Sequence, residues 1–152
     1  MDWKRAWRTL FEEAFNGVRD GAEGTWFVER KEAIFPLLAS LSAEQASKSF
    51  GHDVNTVAAH ARHTAYYITL GADYLETGKF GQTDWPGSWS VQQVDGPQWK
   101  EIQQHLHDEY DRLLRAVDKW EAKETQDLTG ALAHLAHASF HLGAMRQLVM
   151  LS

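Results

Sequence analysis

From Asp127 to Leu151 apolar side chains return every third or fourth residue, at Leu128, Ala131, Leu135, Ala138, Leu142, Met145 and Val149. That spacing has the period of an α-helix with one packing face, as found in helical bundles. The same rhythm governs most of the chain. Trp3, Trp7, Leu10, Phe11, Ala14 and Val18 predict a helix over Trp3–Asp20, with Gly21 and Gly24 ending it. Val54, Ala58, Ala61, Ala65, Ile68, Ala72 and Leu75 predict one over Val54–Thr77, capped by Asp53 or Asn55. Small side chains dominate that stripe and let a neighbouring helix approach closely. A third long helix runs from Asp95 or Gly96 to Lys123, with Pro97 in its first turn and Trp99, Ile102, Leu106, Tyr110, Leu113, Leu114, Val117 and Trp120 facing inward.

Between these segments the pattern weakens. Thr25–Leu41 reads as a further helical stretch that Pro36 kinks or breaks. Ser42 and Gln45 form a capping pair opening a short turn of helix. Gly78 to Gly96 is turn-rich, and Trp85 and Trp89 are expected to anchor this long loop. No alternating strand pattern competes, and only three prolines interrupt 152 residues. The expected fold is all-α: a single domain over residues 1–152, a four-helix bundle with a long crossover loop between the second and third main helices.

Composition narrows the function. Lys and Arg number 15 against 21 Asp and Glu, so the chain lacks the basic surface that nucleic-acid binding requires. No apolar run reaches the ~18 residues of a membrane span, and the N-terminus lacks a signal-peptide pattern, so a cytoplasmic protein is expected. Cysteine is absent, which removes disulfides, thiolate metal sites and a catalytic thiol of the chain's own. Histidine is abundant, with eight residues. It combines transition-metal ligation with proton transfer near neutral pH.

His134, His137 and His141 fall on one side of the last helix, beside its packing stripe. His137 and His141 are i,i+4 neighbours, with Cβ atoms roughly 6 Å apart. Such a pair can share a metal ion with a third imidazole from another helix. His60 and His63 on the Val54–Thr77 helix supply the candidates. The bland alternative is chance spacing in a histidine-rich chain, and the protease motif H-E-x-x-H is absent because Ala138 follows His137. His105 and His107 cannot share a helix face, and His52 reads as a solvated loop residue. Tyr67 lies seven residues beyond His60, within reach of a substrate, although core packing is the simpler role.

The segment His137-Ala138-Ser139-Phe140-His141-Leu142-Gly143-Ala144-Met145-Arg146-Gln147 resembles the H-x-x-x-H-x-G-x-x-R-Q signature of the DinB-like (damage-inducible) family of four-helix-bundle metalloproteins. Val57-Ala58-Ala59-His60, the turn Leu41-Ser42-Ala43-Glu44-Gln45-Ala46, and the tryptophans Trp85, Trp89 and Trp99 are similar to other parts of that family. The resemblance implies one divalent metal, zinc or nickel, held by His60, His137 and His141. His63 is then an outer or exposed residue, or a substitute for His60. Gly143 would permit close packing, and Arg146 and Gln147 would stabilise the bundle or an interface. The family includes thiol-dependent transferases. The implied activity is therefore activation of water or of a low-molecular-weight thiol on a small-molecule substrate, in a homodimer. The residues name no general acid or base. The competing expectation is a non-catalytic metal-binding or interaction bundle.

Overall fold

The computed structural model describes residues 2–18, 21, 24–28, 32–122 and 124–152. Among them it has seven helices and no strand: α1 (Trp3–Asn16), α2 (Ile34–Ala39), α3 (Ala43–Ala46), α4 (Val57–Thr77), α5 (Trp85–Ser88), α6 (Gly96–Lys119) and α7 (Thr125–Met150). The four long helices are α1, α4, α6 and α7. The central α4 packs on both α6 and α7, and α1 packs on α7 and α6. No helix of the described residues is long and apolar enough to cross a membrane.

One aromatic cluster joins α1 and α2 to α6. Phe11 and Phe15 of α1 pack on Tyr110 of α6, with ring centroids 5.7 and 4.9 Å apart, and Phe35 of α2 closes the group. Two buried indoles act as ties as well as filling. Trp7 donates its Nε1–H to the Ala131 carbonyl of α7 at 2.7 Å, and Trp99 donates to the Leu41 carbonyl at 2.9 Å. Each indole thus satisfies its own polar edge while burying a large apolar body.

Several boundaries differ from those the sequence predicts, each for a local reason. α1 stops at Asn16, because Gly17 adopts φ 77°; Arg19 and Asp20, predicted to continue it, lie outside the described residues. Thr25–Leu41 is helical only from Ile34. Upstream, the buried Glu13 carboxylate of α1 accepts from the backbone N–H groups of Trp26, Phe27 and Val28 at 2.8 to 3.0 Å. Those amides are therefore held by a side chain in place of helical carbonyls. Glu29, Arg30 and Lys31 lie outside the described residues. Pro36 neither kinks nor breaks α2, since it stands in the first turn, where no intrahelical N–H bond is required.

α4 begins at Val57 with Thr56 as its cap, not Asp53 or Asn55. Thr56 is fixed there from the crossover: its N–H donates to the Gln92 side chain at 3.0 Å and its hydroxyl to the Gln92 carbonyl at 2.9 Å. α6 starts as expected, with Asp95 and Gln98 exchanging capping bonds. It ends at Lys119; Lys123, the predicted end, lies outside the described residues. The crossover is not featureless. It folds into α5, which α4 holds at three places. Arg62 Nη1 donates to the Gly87 carbonyl at 2.5 Å, the Asp84 N–H donates to the Tyr66 hydroxyl at 2.6 Å, and His63 meets Ser88.

Candidate metal centre

α4 and α7 pack side by side, and their facing turns carry five histidines: His60 and His63 from α4, and His134, His137 and His141 from α7. The Nε2 atoms of His63 and His137 stand 3.2 Å apart, and those of His141 and His137 3.1 Å apart. Ligand nitrogens of His63, His137 and His141 all lie within 4.8 Å of one another, so these three rings could hold one metal ion. Two imidazole nitrogens each ~2.0–2.1 Å from a tetrahedral zinc would be separated by roughly 3.3 Å, close to the spacing seen.

Hydrogen bonding sets the proton position on one of these rings and braces a second. The Ser88 hydroxyl donates to the Trp85 carbonyl at 2.6 Å. Its single proton is used there, so the 2.7 Å contact with His63 Nδ1 requires that His63 donates. The His63 proton thus resides on Nδ1, and Nε2 presents a lone pair to the other histidines. His141 is braced in a similar way. Its Nδ1 lies 2.8 Å from Nδ1 of His60, so one of the two nitrogens donates and the other accepts. When His141 is the donor, its Nε2 also carries a lone pair. Backing a ligand imidazole through its second nitrogen is the usual way to fix tautomer and ring orientation.

Aromatic faces enclose the group. Trp89 stacks on His63 with centroids 3.8 Å apart, and Tyr67 stacks on His137 at the same separation. His60, His63 and His141 are all buried. Burial holds these rings neutral. It depresses the His60 and His137 pKa values to about 4, with repulsion from His63 adding to both, and it depresses His141 and His63 as well. Neutral imidazoles are what a cation needs as ligands. With only nitrogen donors in the group, the site suits zinc, nickel or other transition ions and not calcium or magnesium.

Of the residues the resemblance implies, His137 and His141 belong to this group. His60 lies one ring further back, against Nδ1 of His141, and His63 supplies the third converging Nε2. His134 packs beside the group against Tyr67, with centroids 4.8 Å apart. Tyr67 is only half-buried and flanks His137 instead of filling the core. His52 and His105 are exposed; His107 is also exposed but stacks on Phe35 at 3.6 Å. Trp89 enters the sequence reading only as a loop anchor and through the resemblance, and the contact of Ser88 with His63 has no sequence signal. No known family pattern, curated protein or solved structure matches this chain.

Proposed function

We propose that this chain is a DinB-like four-helix-bundle metalloprotein in which His63, His137 and His141 hold one divalent transition ion, zinc or nickel. We further propose that it is an enzyme acting on a small molecule through an activated water or low-molecular-weight thiol. The observation that carries this is the convergence of three imidazole nitrogens, two of them from rings braced through the opposite nitrogen. Three protein ligands leave a tetrahedral ion one open position, the arrangement of catalytic rather than structural zinc sites. An ion held by neutral ligands keeps its full charge and acidifies a water or thiol bound to it.

The chain's own residues have separable duties. Ser88 keeps the His63 proton on Nδ1. His60 orients His141. Tyr67 and Trp89 cover ring faces of His137 and His63 and restrict water around them. His60 is a positioning residue in this arrangement, and its loss is expected to weaken metal binding less than loss of His63.

A second reading has one observation in its favour. Leu132 and Phe140 lie on the outward side of α7 and are 57% and 69% exposed. Such a face suits pairing of two copies of the chain, with the metal in a non-catalytic role. The test is a zinc titration of metal-free protein, followed by hydrolysis and thiol-transfer assays of wild type and His137→Ala. One equivalent bound, with turnover that His137→Ala abolishes while remaining folded, supports the enzyme. One equivalent with no turnover supports the second reading, and absence of stoichiometric binding overturns both.

A further inference from the structure

Beside the histidine group, between the C-terminal half of α4 and the N-terminal half of α7, lies a cavity of about 370 Å³. That size falls in the range of small-molecule sites, ~300–1,000 Å³. Tyr67, Tyr74, Phe80, Trp85 and Trp120 wall it, and His134 and Gly71 also line it. Two walls are shared with the metal centre. Tyr67 stacks on His137, and Trp85 packs on His63 with centroids 6.2 Å apart.

One wall of the cavity is built on a glycine in the middle of a helix. A Cβ at Gly71 would stand 2.2 Å from both Cε1 and Nε2 of His134. The imidazole therefore occupies the place of the missing side chain and lies flush against the α4 backbone. Glycine inside a helix is destabilising relative to alanine. Among the described residues His134 Nδ1 also has no hydrogen-bond partner although it is buried, which is unfavourable in itself. Two unfavourable local choices at one spot are what a sequence tolerates where a space must be preserved.

The lining also states what fits. Among the described residues no Lys or Arg lines the cavity, and Asp127 is the one carboxylate there. An anionic group would lose its hydration against apolar rings, whereas a neutral ring gains burial and edge or face contacts with the aromatic walls. We propose that this cavity receives an uncharged aromatic or branched apolar part of the substrate, and that Gly71 and His134 are the residues that keep it open. The substrate would thus have two parts, an apolar body held here and a reactive group presented past Tyr67 to His137. The identity of the reactive group rests on the metal-centre proposal, but occupation of the cavity does not.

The full metal-free chain is the right test object, with 2-naphthol as the neutral probe and 2-naphthalenesulfonate as its anionic counterpart. Binding is followed by the indole N–H resonances of Trp85 and Trp120, with the remote Trp99 as internal control. The expected result is saturable movement of Trp85 and Trp120 with 2-naphthol, and binding at least tenfold weaker for the sulfonate. Gly71→Ala should weaken 2-naphthol at least tenfold while one equivalent of zinc still binds. Phe80→Ala, in an exposed wall residue outside every helix, should weaken it severalfold without risk to the fold. The proposal is overturned if 2-naphthol leaves both resonances in place, if the sulfonate binds as tightly, or if Phe80→Ala binds it like wild type. Loss of zinc binding in wild type with 2-naphthol binding intact would instead remove only the metal-centre proposal.

Discussion

Lowering the pH should unfold the metal-free protein through its buried histidines, and His134 allows the size of the effect to be worked out. Burial holds its pKa at about 4, against 6.5 for an exposed imidazole. Between those values the unfolded chain binds a proton that the folded chain excludes, so stability falls as pH falls. Above pH 6.5 both states are neutral at this ring and nothing is lost. From pH 7 to pH 5 the loss from His134 alone is about 2 kcal/mol, and by pH 4 about 3 kcal/mol. His60, His137 and His141 are depressed in the same direction. Even one further excluded proton among them doubles the loss at pH 5 to about 4 kcal/mol. That is comparable to the whole stability of many domains, ~5–15 kcal/mol. Glu13 does not confuse this range. Burial tends to raise the pKa of Glu13, but its three backbone N–H bonds outweigh that and lower it, so its stabilising contribution is lost only below the usual carboxylate range. The assay is urea unfolding with chelator present at pH 7.5, 6 and 5, on wild type and on His134→Met, which roughly keeps the side-chain volume. The variant should lose about 2 kcal/mol less than wild type over that range. Equal slopes, or a flat wild-type profile, would refute the assignment of neutral buried imidazoles.

Other expectations are equally specific. Ser88→Ala removes the acceptor that keeps the His63 proton on Nδ1 and should lower zinc affinity ~10–100-fold, measured by competition with a chromophoric chelator. Trp7→Phe removes the 2.7 Å bond to the Ala131 carbonyl, which keeps its place in the α7 helix ladder. It should cost about 1 kcal/mol in denaturant unfolding and leave zinc affinity unchanged.

How much of this was legible in the residues follows from which interactions are local. The long helices were, because their apolar stripes repeat at the helical period without reference to the rest of the chain. The α6 start was, because Asp95 and Gln98 satisfy each other three residues apart. The convergence of His137 and His141 was also visible, since i,i+4 neighbours on a helix must share a face. The choice between His60 and His63 was not. The two are i,i+3 neighbours on the same face of α4, and what separates them is Ser88, brought in by a four-residue helix of the crossover. The same kind of distant contact defeated the Thr25–Leu41 prediction. Its apolar residues mimic a helix, but the carboxylate of Glu13, more than ten residues away, claims the amides of Trp26 to Val28. Gly71 gave no signal, because a lone glycine in a small-residue stripe looks the same whether it admits a neighbouring helix or a histidine ring.

The central claim concerns which nitrogens meet the ion, and long-range nitrogen–proton NMR of the imidazole rings during a zinc titration reads those nitrogens directly. At one equivalent the Nε2 signals of His63, His137 and His141 should move to the shifts of metal-bound nitrogen, with the Nδ1 of His63 remaining protonated and His60 unbound. Ring signals unchanged at one equivalent, or His60 bound with His63 free, would contradict it.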